Sequence, residues 1–225
     1  MPLTTQIVLF DGFDPLDAIA PFEVLAAGSD EAGDGLHIEF VSAEGPRRVV
    51  SGTRGMALEA TAVLDPDLPG HIVVPGASGP IDGDPDDGVD TIPVLLNRFS
   101  QSTAGPLLKR ALDNPEVTVA TVCGGSLVLA MAGLIEGRHA VTHALGMELL
   151  EATGVKAVHA RVVDDGDLVS AGSVSSGLDL GLHLLHRQYG SHVAHAVEVL
   201  FAHERRGTPW LSPTADRAAG REEHA

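Results

Sequence analysis

The chain has 225 residues, 44% of them hydrophobic, which is enough for one substantial core. Its 14 basic side chains face 31 acidic ones, a formal net charge of -17; that charge repels phosphate backbones and anionic lipid, so neither nucleic acid nor a membrane surface is an expected partner. The start lacks the basic, then apolar, pattern of a secretory leader, no apolar run approaches the ~20 residues of a membrane span, and a single cysteine makes no internal disulfide, so a cytoplasmic protein is expected.

Strand-like runs alternate with helical patterns along the chain. A strand over Gln6 to Phe10 precedes a helix from Pro15 to about Ala27. Further strands are read at Ile38 to Val41 and Ile72 to Val74, the latter followed by one helix through Val94 to Leu112. The β-branched run Val117 to Val122 leads into a helix from Ser126 to Ala132. This alternation predicts an α/β fold with a mostly parallel central sheet covered by helices. Val49 to Ala62 and Ala160 to Ala171 read as hairpins, the second turning at Asp165-Gly166. Helices from Ser175 to Gln188 and Ser191 to His203 close a single domain over residues 1–205, and 206–225 reads as a flexible C-terminal tail. The segment Asp82 to Asp90 holds five Asp in nine positions and reads as an exposed loop.

The only cysteine, Cys123, ends the Val117 to Val122 run and is followed by Gly124-Gly125. A strand, a sharp turn and a helix with a thiol at the apex form a nucleophile elbow, where small flanking residues are needed because side chains would collide. The first N–H groups of the following helix favour thiolate, so a lowered thiol pKa is expected there.

In an open parallel sheet the loops leaving the carboxyl ends of the strands share one edge, where ligands bind. That rule gathers Asp17 from the turn after the first strand, the Pro75-Gly76-Ala77 turn, the Cys123 elbow, and Thr142-His143 after the short run His139 to Val141. A nucleophile, a carboxyl group, donor N–H groups and an imidazole are the parts of a covalent catalyst. His183/His186 and His192/His195 have a helical spacing that can bind metal, but no cysteine or clustered carboxylate flanks them, and no metal site is assigned.

These residues resemble a known family. Ile7-Val-Leu-Phe10, Leu16-Asp17-x-x-x-Pro21-x-Glu23-Val24-Leu25, Pro75-Gly76, Val122-Cys123-Gly-Gly-Ser126, Ala132-Gly-Leu134-x-x-Gly137, Thr142-His143 and Gly177-Leu-Asp179 look like the ThiJ/PfpI superfamily, in order over residues 5 to 203, and within it the isonitrile hydratase branch and the ligand domains of AraC-type regulators. The resemblance implies a flavodoxin-like three-layer sandwich, a homodimer without cofactors, Cys123 as nucleophile and Asp17 as the neighbouring catalytic carboxyl. Gly76, Ala77 and Gly124 would supply oxyanion or substrate contacts, with His143 beside them. The implied reaction is cofactor-free hydration of a small electrophile, an isonitrile plus water giving an N-substituted formamide; a thiol-based oxidation or small-ligand sensor is the alternative. Gly124 departs from the hydratase branch, which carries Thr at this position.

Overall fold

The computed structural model describes residues 3–33, 35–83 and 88–213. The first half runs β1 (Thr4–Val8), α1 (Pro15–Ala32), β2 (His37–Ser42), β3 (Arg47–Val50), β4 (Ala57–Ala60), β5 (Ala62–Val63), β6 (Gly70–Val74), α2 (Ile92–Ser100) and α3 (Ala104–Asp113). The second half runs β7 (Val117–Val122), α4 (Gly125–Met131), β8 (His139–Ala140), α5 (Met147–Ala152), β9 (Lys156–Ala157), β10 (Val162–Asp164), β11 (Leu168–Ala171), α6 (Ser176–Tyr189), α7 (Ser191–Phe201) and β12 (Trp210–Leu211).

Eight strands form the central sheet in the order β12-β10-β11-β7-β6-β1-β2-β5. It is parallel except where β10 and β11 pair as an antiparallel hairpin, the hairpin expected around Asp165-Gly166. Residues of β1 and β6 are buried throughout, as central parallel strands must be when helices cover both faces. The chain leaves β1 toward β2 and later returns to β6 on β1's other side, so a crevice opens at the carboxyl ends of β1, β6 and β7. The fold is therefore the α/β arrangement with a mostly parallel sheet that the sequence predicted.

Three differences from the sequence reading have physical causes. The helix expected through Val94 to Leu112 is two, α2 and α3, because serine side chains take over the turn between them: Ser100 and Ser102 donate to the carbonyls of Asn97 and Phe99 at 2.8 and 2.7 Å, and Ser102 Oγ accepts the Ala104 N–H. The run from His139 joins β9 rather than the central sheet. The tail expected from Arg206 is held through Ser212: the Arg206 N–H donates to buried Asp179, β12 pairs with β10, and the Ser212 N–H reaches the Asp164 carbonyl. Trp210 also lies against the His139 ring, with centroids 4.8 Å apart. Residues 214–225 of that tail, and Asp84, Asp86 and Asp87 of the acidic loop, lie outside the described residues. Among the described residues no helix is long and apolar enough to cross a membrane.

Helices α1, α6 and α7 pack together, and α1 approaches α6 closely because glycines face it. A Cβ at Gly181 would stand 2.7 Å from Val24 Cγ1, and one at Gly177 3.1 Å from the ring of Pro21. This seam fixes α1, and with it the first turn that carries Asp17. Gly181→Val is expected to overpack it and lower unfolding free energy in urea by about 1–3 kcal/mol; an unchanged midpoint would mean the two helices tolerate separation.

Candidate active site

Cys123 stands at the end of β7 with φ of 54°, in the left-handed region that a residue with a side chain rarely enters. Two hydrogen bonds hold it there. Its N–H donates to the Ala171 carbonyl at 2.8 Å, and its carbonyl accepts from Thr142 Oγ1 at 2.7 Å. Gly125 is required because a Cβ there would lie 2.1 Å from the Val74 carbonyl oxygen at the end of β6. The elbow therefore forms as the sequence reading describes it, with the backbone strain on Cys123 itself.

Asp17 lies in the first turn of α1 and is fully buried. Its Oδ2 accepts the Gly76 N–H at 2.9 Å, while Oδ1 has no hydrogen-bond partner among the described residues. A Cβ at position 76 would sit 2.6 Å from the Gly124 nitrogen and 2.8 Å from that carboxylate, so only glycine lets the turn after β6 enter between the elbow and Asp17. Because its N–H is committed to Asp17, Gly76 is unavailable as an oxyanion donor. The Ala77 N–H makes no hydrogen bond among the described residues, and the Gly124 N–H points at the thiol and favours its ionised form. These two remain as donors.

Burial pushes the Asp17 carboxyl up to about 8, with the charge of Asp14 adding to the effect and the Gly76 hydrogen bond opposing it. Burial also pushes the Cys123 thiol up, and the Asp17 carboxylate beside it does the same; the Gly124 N–H opposes them more weakly. The expectation of a lowered thiol pKa is thus corrected. A helix N-terminus contributes about 0.3–1 kcal/mol, whereas removing a charge from water costs several kcal/mol. At neutral pH both members of the pair are held mainly in their protonated forms.

A cavity of about 300 Å³ reaches the thiol, which is only 8% exposed. Cys123, Gly124, Ala77, His143 and Asp14 line it, together with apolar side chains that include Ile92, Leu96, Leu127, Met131 and Leu149. Asp17 lies behind this wall and meets the cavity through the thiol. His143 is half-buried; its Nδ1 accepts the Leu145 N–H at 3.3 Å, so the neutral ring carries its proton on Nε2. The loop bearing it is tied to the elbow by side chains. Ser126 Oγ donates to the Val141 carbonyl at 2.7 Å and meets Thr121 Oγ1 at 2.6 Å, and Ser170 Oγ accepts the Val141 N–H.

Asp14 is missing from the residues singled out on sequence alone, and Thr142 is gathered among them without a role for its hydroxyl. The usable signal was Thr121, Ser126 and Ser170, small hydroxyl residues within otherwise apolar runs. Asp179, part of the family-like pattern, accepts from Arg161 at 2.8 Å and from the Arg206 N–H at 3.0 Å, away from the cavity. His183 hydrogen-bonds Asp164 at 2.8 Å. Among the described residues no three His, Cys, Asp or Glu side chains are grouped to hold a metal ion.

The raised carboxyl has a consequence for stability. Folded Asp17 keeps a proton that the unfolded chain releases near the ordinary carboxyl value of about 4, so the wild type loses stability as pH rises from there toward about 8. Asp17→Asn has no such proton. Its stability relative to wild type is expected to climb across that window and level off above it in urea titrations at stepped pH; a constant difference would mean that Asp17 is ionised in the folded protein.

Residues 96–187 match the model of the DJ-1/PfpI family. The chain is 28% identical over 222 residues to an isonitrile hydratase of Pseudomonas putida, covering 96% of this chain and 87% of that one. It is 34% identical over 146 residues to an uncharacterised protein of Streptomyces lividans, covering 63% of this chain and 88% of that protein. Among solved structures, a ThiJ/PfpI family protein from Pseudomonas syringae superimposes with a TM-score of 0.73 at 20% identity, over 92% of this chain and 77% of the other. With a parallel sheet, a strained cysteine elbow and a carboxyl held against it, the chain belongs to the DJ-1/PfpI family.

Proposed function

We propose that the protein is a cofactor-free, cysteine-dependent hydratase of small apolar electrophiles, with isonitriles as its substrates and N-substituted formamides as products. The observation that carries this reading is the buried Cys123–Asp17 pair beneath an apolar cavity, where burial favours the protonated form of both groups. The similarity to an isonitrile hydratase supports the choice of substrate.

In this reading the thiol sulfur bonds to the terminal isonitrile carbon, and the same carbon takes a proton from the Asp17 carboxyl, which receives the thiol proton in exchange. The product is a thioimidate on Cys123. Water then adds to that carbon, the C–S bond breaks with sulfur regaining its proton, and the released hydroxyimine tautomerises to the formamide. A neutral pair suits this sequence because it adds S–H across the carbon without leaving a buried charge. Ala77 and Gly124 supply N–H groups, and His143 Nε2–H a further donor, where negative charge develops during water addition. The working unit is a cytoplasmic homodimer, which sedimentation of the purified protein tests.

Incubation with a panel of alkyl and aryl isonitriles, followed by formamide appearance, tests the reaction. Cys123→Ser is expected to abolish product, and Asp17→Asn to lower turnover by roughly 10²–10⁴ while Cys123 still alkylates. Full turnover in Asp17→Asn would remove the carboxyl from the mechanism. No turnover by the wild type with any isonitrile, alongside ready peroxide oxidation of Cys123 seen by mass spectrometry, would favour the sensor instead.

The departure at Gly124 also has a structural prediction. A Cβ there would stand 3.0 Å from Leu96 Cδ1 and 3.4 Å from the Gly76 Cα. Gly124→Thr is therefore expected to crowd the cavity and raise KM, more for bulky isonitriles than for small ones. A uniform gain in kcat would show instead that the added hydroxyl assists the reaction and that Leu96 yields.

A further inference from the structure

One side chain on the cavity wall has no part in the chemistry proposed above. Asp14 closes the turn between β1 and α1, where its Oδ1 accepts the Leu16 N–H at 2.9 Å and its own N–H donates to the Gly76 carbonyl at 2.9 Å. The first bond is an N-cap, and asparagine or serine would cap α1 about as well. A full negative charge is more than the cap requires. That charge stands half-buried on the wall that carries Cys123 and Gly124, and among the described residues no lysine or arginine lines the cavity to neutralise it. Among the described residues, the other titratable groups on the wall are His143 and the thiol itself. Asp14 also acts on both members of the catalytic pair, opposing further negative charge on Asp17 and on Cys123.

We propose that Asp14 is a specificity-determining residue, whose fixed carboxylate on the cavity wall turns anionic electrophiles away from Cys123 and admits neutral ones. The inference rests on Cys123 being the reachable nucleophile. A carboxylate on this wall opposes an incoming anion more strongly than it would in open water, because the effective dielectric there is about 20 rather than about 80. Among the described residues of the wall, no cationic side chain compensates the anion, and the uncharged donors are the Ala77, Gly124 and His143 N–H groups and the Ser78 hydroxyl, which is shared with Thr53.

Alkylation by iodoacetamide and by iodoacetate separates the two effects, because the reagents react alike and differ in charge. In each, sulfur bonds to the methylene carbon, iodide leaves and the thiol proton is released. The second-order rates are measured for the wild type, Asp14→Asn, Asp14→Ser and Asp30→Asn, the last removing an exposed charge elsewhere on α1. The amide-to-acetate rate ratio is expected to fall about tenfold in both Asp14 variants and to stay at the wild-type value in Asp30→Asn. An unchanged ratio in the Asp14 variants, or an equal fall in Asp30→Asn, would overturn the proposal while leaving Cys123 as nucleophile. Because the buried thiol ionises little at neutral pH, the rates are read at about pH 9 over long incubations. Failure of both reagents to modify the folded wild type there, while the urea-unfolded chain alkylates, would show that Cys123 is not reachable and defeat that underlying reading and the proposal with it.

Discussion

The contact between Asp17 and the Cys123 elbow holds three strand ends together. Asp17 comes from the helix after β1, its Oδ2 is bound by the N–H of Gly76 after β6, and Cys123 ends β7. Adjacent parallel strands bring their carboxyl ends near one another, but this contact needs closer approach than side chains allow. Gly76 passes where a Cβ would strike Asp17 and Gly124, and Gly125 passes where one would strike the Val74 carbonyl. The glycines are a consequence of the carboxyl–thiol pair as much as of the elbow. Pro21 belongs to the same arrangement: it has no N–H to offer the Asp17 carbonyl one turn back in α1.

Burial sets the chemistry of that pair. In water a thiol beside a helix N-terminus would ionise easily, and a carboxyl would be ionised outright. Behind the cavity wall both lose solvent, and the Asp17 carboxylate opposes charge on the thiol, while the thiol's weak donation to Asp17 offsets only a little of the burial that keeps the carboxyl protonated. In the proposed reaction, this environment suits a site that moves protons rather than one that stores a thiolate. Thr142, donating to the Cys123 carbonyl from a segment outside the central sheet, keeps the strained residue in place against that environment.

Much of this was legible in the sequence. The run Val117 to Val122 coincides with β7 because its β-branched residues are bounded by Asn114-Pro115 and by Cys123-Gly124-Gly125. The gathering of Asp17, Gly76, Ala77 and Gly124 around Cys123 followed from the rule for parallel sheets; His143 joins them from outside the central sheet. Harder to read were features decided by side-chain hydrogen bonding across long separations. The serines that divide α2 from α3, the Ser126–Val141 tie that brings His143 to the cavity, and the Asp179–Arg206 bond that anchors the chain after α7 leave no periodic pattern. Asp14 was concealed by its conventional look, an Asp before Pro at a helix start. The sign of the thiol shift was out of reach for another reason: local sequence reports the helix N-terminus, while desolvation comes from residues far along the chain.

The account stands on a neutral, proton-sharing Cys123–Asp17 pair. The most direct measurement is the ultraviolet thiolate absorbance of Cys123, taken as wild type minus Cys123→Ser, from about pH 5 to pH 10. An ordinary thiol would show half its thiolate near pH 8.5. The account predicts that thiolate stays largely absent through that range, because burial and the neighbouring carboxylate oppose it. A thiolate already formed at neutral pH would contradict the neutral pair and return the site to a charged, helix-stabilised cysteine.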